Sequence, residues 1–361
     1  MVEGFFLNMG SLKRLKVAVI GDNFIKNELV ENVMEERLKK YINLELCHGF
    51  LNWPDEPFVS GEEVQEYVGK EEQICKVAQD ADIILTQLAP ITSRVISSCK
   101  KLKLIACCRG GPVNVNVDFA TKKRIPVLNT PGRNATACAE FTVGMILALL
   151  KNIIPAHCEL KKGKWRGDFY RFDRCAEEIY NKKVGVIGFG EVGSKICRIL
   201  LSFGAKVLVY DPYIKREKIR KSGALVVDLE TLLKESHIVS INARLTPTSH
   251  RLIGEKELNL MMPGSYLINS ARGKLLDYEA LYRALKEGKL AGAALDTFDP
   301  EPPSPDSPLL RLDNVILTPH IAGSSREAAL RGIKMLVCGI EKYLQGEIPK
   351  NCVNPQVFEP K

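Results

Sequence analysis

The stretch from Lys183 to Gly204 constrains the fold more than any other part of the chain. Val184 to Gly188 is a short apolar run of the kind a buried strand uses, and it leads straight into Gly188, Phe189, Gly190, Glu191, Val192 and Gly193. Beyond it, Val192, Ile196, Ile199, Leu200 and Phe203 recur at helical spacing on one face, and Gly204 offers a stop. A GxGxxG triplet alone is weak evidence, but between a strand and a helix it is specific for a dinucleotide. Gly188 permits the tight turn, Gly190 lets the backbone approach a pyrophosphate, and Gly193 lets the helix pack on the strand. The N–H groups at the helix start, around Glu191 and Val192, face the phosphates.

The next apolar run, Lys206 to Tyr210, ends at Asp211. A carboxylate about twenty residues past the first glycine accepts both ribose hydroxyls and repels a 2′-phosphate. NAD is therefore expected rather than NADP, although Lys215 and Arg216 follow closely.

A length of 361 residues exceeds what one core usually fills, so two domains are expected. Before the glycine motif, LKVAVIG (15–21), NLELCHGF (43–50), ADIILT (81–86), LKLIACC (102–108) and IPVLNT (125–130) alternate with helical patterns. After it, KVGVIG, KVLVYD, HIVSIN, GSYLINS, AGAALDTF and NVILTP give six strands. Such alternation predicts two doubly wound α/β domains with parallel sheets. The apolar helix pattern of Ala135 to Lys151 has no strand partner nearby and suits a helix passing between them. Ser324 and Glu327 have capping-box spacing for a last helix that Gly346 ends. Residues 1 to 10 are read as a loose tail, with Met9 a possible start.

The remaining composition excludes several classes. The longest apolar helix pattern falls well short of the roughly 20 residues a bilayer needs, and the N-terminus lacks a signal-peptide cleavage site. Eleven cysteines without CxxC spacing read as buried reduced thiols of a cytoplasmic protein, with no metal. A net charge of +8 is read as solvated faces and attraction for an anionic cofactor and substrate, with no nucleic-acid or membrane partner.

Hydride chemistry on a 2-oxo acid needs a cation for the carboxylate and carbonyl, a proton donor, and a group to tune that donor. Arg272 follows the strand YLINSA, His320 follows VILTP, and Glu301 lies in the proline-rich loop after Phe298. All three stand at carboxyl ends of strands, where open α/β sheets bind ligands. A carboxylate beside the imidazole would orient it and favour its protonated form. The other histidines, His48, His157, His237 and His250, are less well placed.

From Lys13 to Asn354 the chain resembles the D-isomer-specific 2-hydroxyacid dehydrogenases. The resemblance is carried by LNTPGRNATACAEFTVGMILAL (128–149), VGVIGFGEVG (184–193), LINSARGKLLDYEALYRALKEGKLAGAALDTFDPEPP (267–303) and ILTPHIAG (316–323). It implies a Rossmann NAD-binding domain over 129–321 and a flavodoxin-like substrate domain from 1–128 plus 322–361. It also implies that Arg272 binds substrate, that Glu301 pairs with His320, and that His320 is the acid/base of a D-2-hydroxy acid oxidoreductase. Asp296 is implied beside the nicotinamide amide, Ser270 and Gly323 among the cofactor contacts, and the 135–151 helix in a homodimer interface.

Two stretches depart from the family pattern. The loop that usually offers backbone N–H groups to the substrate carboxylate reads Arg109, Gly110, Gly111, Pro112, Val113, Asn114, and proline has no N–H. Gly111, Val113 or the Asn114 side chain is left to serve. After the third strand, Thr86, Gln87, Leu88, Ala89, Pro90 lacks the arginines of phosphoglycerate-specific members, so an unphosphorylated sugar acid or short oxo acid is expected. The rival readings are an NAD-sensing corepressor, a phosphoglycerate dehydrogenase of the same family, and enzymes such as adenosylhomocysteine hydrolase or alanine dehydrogenase, whose signature stretches are not found.

Overall fold

The computed structural model describes residues 14–55 and 58–360; the expected tail of residues 1 to 10 lies outside them. The chain divides into two compact units, one being Ala135–Ser324 and the other the chain on either side of it.

The first unit carries β1 (Arg14–Asp22), β2 (Asn43–Leu51), β3 (Ile83–Thr86), β4 (Leu104–Cys107) and β5 (Val127–Leu128). They form one parallel sheet in the order β2-β1-β3-β4-β5, the flavodoxin-like winding. Because side chains alternate across a strand, an apolar run buried on both faces serves two cores. Leu15, Val17 and Val19 pack with the helices Asn27–Leu38 and Arg326–Leu344, while Ala18 and Ile20 face the layer of Glu71–Ala78.

The last helix returns to this unit with Ala329, Ile333, Leu336, Val337, Ile340 and Leu344 on its buried stripe. Its cap is Ser325, not the expected Ser324: the Ser325 hydroxyl accepts from the Ala328 N–H at 3.0 Å. Ser324 instead spends its N–H on the Ile321 carbonyl, closing the preceding turn. Gly346, at φ +82°, follows the helix end.

The second unit carries β6 (Lys183–Ile187), β7 (Lys206–Tyr210), β8 (Leu225–Val226), β9 (Ile238–Ile241), β10 (Ser265–Asn269), β11 (Leu290–Leu295) and β12 (Val315–Leu317). All are parallel in the order β12-β11-β10-β9-β6-β7-β8, which counted from β6 is the Rossmann order with one strand added. Seven strands replace the six expected. The one missed, β8, is two residues long at the sheet edge, with Leu225 largely exposed.

Val184, Val186, Val207 and Val209 pack beneath the helices Ala135–Leu150 and Glu191–Ser202. Leu208, Val239, Ile241, Leu267 and Leu295 pack beneath Leu229–Glu235, Glu255–Leu260 and Tyr278–Lys286. The helix Ala135–Leu150, expected to run between domains, belongs wholly to this unit because its apolar face is covered by the helix Glu191–Ser202. Among the described residues no single helix is long and apolar enough to cross a membrane. The cysteines are not uniformly buried: Cys99, Cys107, Cys108 and Cys197 are, whereas Cys158 and Cys175 lie on the surface.

Candidate active site

At the glycine motif, steric demands differ from residue to residue. Gly188 has φ +96°, and a Cβ there would approach the Asn242 carbonyl oxygen to 2.8 Å. A Cβ on Gly193 would lie 1.9 Å from the Gly188 oxygen, so the helix Glu191–Ser202 can start this close to the strand only with glycine. Gly190 meets nothing within 4 Å. Open space there stands before a helix whose first N–H groups, on Glu191, Val192 and Gly193, have no upstream carbonyl to meet. Phe203, expected on this helix's buried face, follows its last turn and is 43% exposed.

Asp211 is tied down more than expected. One oxygen accepts from Phe189 N at 2.7 Å, and the other from Tyr213 N at 2.8 Å and Ile214 N at 3.0 Å. A carboxylate has about four acceptor positions, so one remains for a ribose hydroxyl rather than two. The carboxylate thus locks the end of β7 to the glycine loop. The Ser270 hydroxyl lies 2.6 Å from that of Thr142, which itself donates to the Cys138 carbonyl, so Ser270 is the donor of the pair.

The catalytic candidates leave three adjacent strands, β10, β11 and β12, at the same carboxyl edge. Asn269, fully buried at the end of β10, shapes the turn that presents Arg272. Its Oδ1 accepts from Ala271 N at 3.1 Å and its Nδ2 donates to the Arg272 carbonyl at 3.0 Å. The Arg272 guanidinium donates to the Ala271 carbonyl at 2.7 Å and is otherwise exposed. Gly273 lets this turn press on the extension of β11, since a Cβ there would sit 1.8 Å from the Phe298 carbonyl oxygen. The Tyr278 hydroxyl donates to the Thr297 carbonyl, and burial pushes that phenol well above its ordinary range, so it stays a donor.

His320 and Glu301 meet: Nδ1 lies 2.5 Å from Oε1. With Nδ1 so engaged, Nε2 is the ring nitrogen without a partner among the described residues. His320 has φ +53°, an uncommon conformation for a non-glycine residue, on a turn that Asp296 grips. One Asp296 oxygen accepts from Thr318 Oγ1 at 2.7 Å and Ile321 N at 2.9 Å, the other from Ala322 N at 2.8 Å. Asp296 is 1% exposed, so these bonds form away from water. Gly323, partly buried, follows in the same turn.

Sequence reading missed the supporting roles of Asn269, Gly273 and Tyr278. A lone Asn closing an apolar strand was the available signal. The other histidines lie elsewhere, His48 being paired with Glu31 at 2.8 Å on the outer strand β2.

In the first unit the substrate-loop candidates separate. Asn114 is fully buried, and its Nδ2 donates to the carbonyls of Ala89 at 2.8 Å and Gln87 at 3.2 Å, so its side-chain amide is spent on the fold. Val113 turns its N–H to the Gly111 carbonyl at 2.9 Å. Gly111 has open space beside it, and its N–H takes no acceptor among the described residues. Arg109 pairs with Glu66 and donates to its carbonyl at 2.7 Å.

Residues 143–322 match the family model described as D-isomer specific 2-hydroxyacid dehydrogenase, NAD binding domain. The chain is 35% identical to a glyoxylate reductase of Korarchaeum cryptofilum over 93% of its own length and 96% of that protein. It is 40% identical to a D-3-phosphoglycerate dehydrogenase of Methanocaldococcus jannaschii over 81% of its length, spanning 55% of that longer protein. A D-lactate dehydrogenase from Aquifex aeolicus, solved with NAD and lactic acid, has 31% identity and a TM-score of 0.70, with 95% of this chain and 100% of that one covered. Two parallel α/β units, a glycine loop fit for a dinucleotide and sequence likeness along nearly the whole length agree. This chain belongs to the NAD-dependent D-isomer-specific 2-hydroxyacid dehydrogenases.

Proposed function

We propose that this enzyme reduces a short, unphosphorylated 2-oxo acid to its D-2-hydroxy acid, with Arg272, Glu301 and His320 as the catalytic set. The observation that carries the reading is the 2.5 Å contact between His320 Nδ1 and Glu301, on strand ends beside the one that presents Arg272. NADH, when bound, supplies the hydride that reaches C2. Gly188, Gly190, Gly193 and the N–H groups of Glu191 and Val192 hold its pyrophosphate, Asp211 accepts a ribose hydroxyl, and Ser270, Asp296 and Gly323 line the nicotinamide end.

Arg272 holds the substrate carboxylate and polarises its carbonyl, a task for which a fixed planar donor suits better than a point charge. Glu301, 2.5 Å from Nδ1, keeps the imidazole oriented. His320 Nε2 then gives a proton to the oxygen on C2 as negative charge grows there. Gly111, rather than Val113 or the Asn114 side chain, offers a backbone donor to the carboxylate, because its N–H faces open space and takes no acceptor among the described residues, whereas those two are engaged.

The segment after β3 supports an unphosphorylated substrate: Gln87, Leu88, Ala89 and Pro90 are buried and bring no cation. Relatives named glyoxylate reductase and hydroxypyruvate reductase fit that size class. We further place the enzyme in the cytoplasm as a homodimer without nucleic-acid or membrane partners. The dimer is supported by the chain after Leu150, where the helix Ile153–Lys161 buries no residue and Trp165, Tyr170 and Phe172 stand 84%, 96% and 98% exposed.

A panel of glyoxylate, hydroxypyruvate, pyruvate and 3-phosphohydroxypyruvate, each with NADH and NADPH, tests this by absorbance at the nicotinamide band. The expected result is highest kcat/KM for an unphosphorylated acid with NADH. Preference of tenfold or more for the phosphorylated acid would refute the substrate class, and no turnover with any acid would refute the catalytic reading.

A further inference from the structure

We infer that Asn129 is a positioning residue that aims the backbone donors of Gly110 and Gly111 at the substrate carboxylate. This rests on the reading above that the 109–113 loop receives that carboxylate, and adds to it a residue outside the loop.

In a planar trans peptide the carbonyl and the N–H of one unit point in opposite directions. Two successive units of the loop are gripped by their carbonyls from one neighbouring segment. The Thr130 N–H donates to the Arg109 carbonyl at 2.8 Å, and Asn129 Nδ2 donates to the Gly110 carbonyl at 2.8 Å. The partner N–H groups of these same units belong to Gly110 and Gly111, so both are turned away from the 129–130 segment. Neither takes an acceptor among the described residues, and a Cβ on Gly111 would meet nothing within 4 Å. Adjacent main-chain donors facing open space make a seat for an anion, and a hydrogen bond to each carbonyl polarises its unit and strengthens the donor.

Asn129 is itself held by main chain, independently of its side-chain amide. Its N–H donates to the Asn351 carbonyl at 3.0 Å, and Asn351 Nδ2 donates to its carbonyl at 2.7 Å. The C-terminal segment therefore fixes the residue that fixes the loop. Among the described residues the Asn129 side chain has only the Gly110 carbonyl as partner, so replacing its amide perturbs one peptide plane and leaves that backbone pairing in place.

The test compares Asn129→Leu with the native enzyme in glyoxylate reduction by NADH, together with the thermal midpoint. Loss of a bond that orients a charge-binding donor predicts a KM raised about tenfold, with kcat within about twofold and an unchanged midpoint. An unchanged KM would overturn the inference, as would a fall in kcat and midpoint without a change in KM, since that is the mark of a structural role only. Gly111→Pro, which deletes the donor itself, separates the two levels. If it raises KM while Asn129→Leu does not, only the positioning role fails; if it leaves KM unchanged, the loop does not bind the carboxylate and the inference falls with that reading.

Discussion

Replacing Asp296 by Asn isolates the clamp on the histidine turn with the smallest possible change of shape. In the better of the two amide orientations, the remaining oxygen keeps Thr318 Oγ1 and Ile321 N, and the new NH2 faces the Ala322 N–H. One charge-assisted bond is lost, a donor is set against a donor, and Ala322 N is left in a place only 4% exposed. Together these cost roughly 2–4 kcal/mol. For a unit of this size, about 2–4 °C is lost per kcal/mol, so the midpoint should fall by about 4 to 16 °C. The same clamp offsets the cost of His320 at φ +53°, of order 1–3 kcal/mol. Released, the ring leaves its working orientation and kcat should fall about tenfold to a hundredfold. Differential scanning calorimetry and steady-state NADH oxidation measure the two effects. An Asn variant that matched the native enzyme in both would refute the view that Asp296 holds this turn.

Other expectations follow from single sites. Burial raises the Asp22 carboxyl above its ordinary range, while Oδ1 alone satisfies the N–H groups of Phe24 and Ile25 at 2.7 Å and Oδ2 has no partner among the described residues. Because the folded state prefers the protonated form, ionisation costs stability as pH rises past the ordinary carboxyl range. Asp22→Asn should therefore raise the midpoint at pH 7 relative to native, and the gap should close near pH 3; a gap that widened on acidification would contradict the sign. Burial pushes the thiols of Cys107 and Cys108 up to about 12 and about 11, so native alkylation at pH 8 should modify the exposed Cys158 and Cys175 and spare these two. Mass mapping reads the order, and early labelling of Cys108 would count against it. Gly193→Ala drives a Cβ to 1.9 Å from the Gly188 oxygen and should abolish NADH binding at micromolar concentration, as followed by nicotinamide fluorescence.

What could be read from sequence alone divides by the range of the interactions involved. The glycine loop, the strand before it and the helix after it are local, and apolar spacing plus steric need at Gly188 and Gly193 declared them. Strand segments buried on both faces, such as residues 17–20 of β1 and 83–85 of β3, announce themselves as continuous apolar runs, whereas β8 has two residues and one exposed side chain and leaves no run to find. Side chains whose roles depend on distant partners were read poorly. Asn114 looked available for substrate, but its amide is consumed by carbonyls after β3, about 25 residues upstream. Asp211 looked like a bare ribose ligand, yet backbone N–H groups occupy three of its acceptor positions. Ser324 and Ser325 offer the same hydroxyl one residue apart, and only the turn that Ile321 closes decides between them. Arg272, Glu301 and His320 could be named as candidates because strand ends are where such sheets bind ligands; the hold of Asp296 on the His320 turn joins residues 22 to 26 apart in sequence and left no local signal.

The proposed mechanism has His320 move the proton while the dinucleotide is held elsewhere in the same unit. The most direct measurement is His320→Ala, with kcat for glyoxylate and the Kd for NADH determined on one preparation. The kcat should fall by about 10²- to 10⁴-fold with the NADH Kd nearly unchanged. Near-native turnover by this variant would contradict that mechanism.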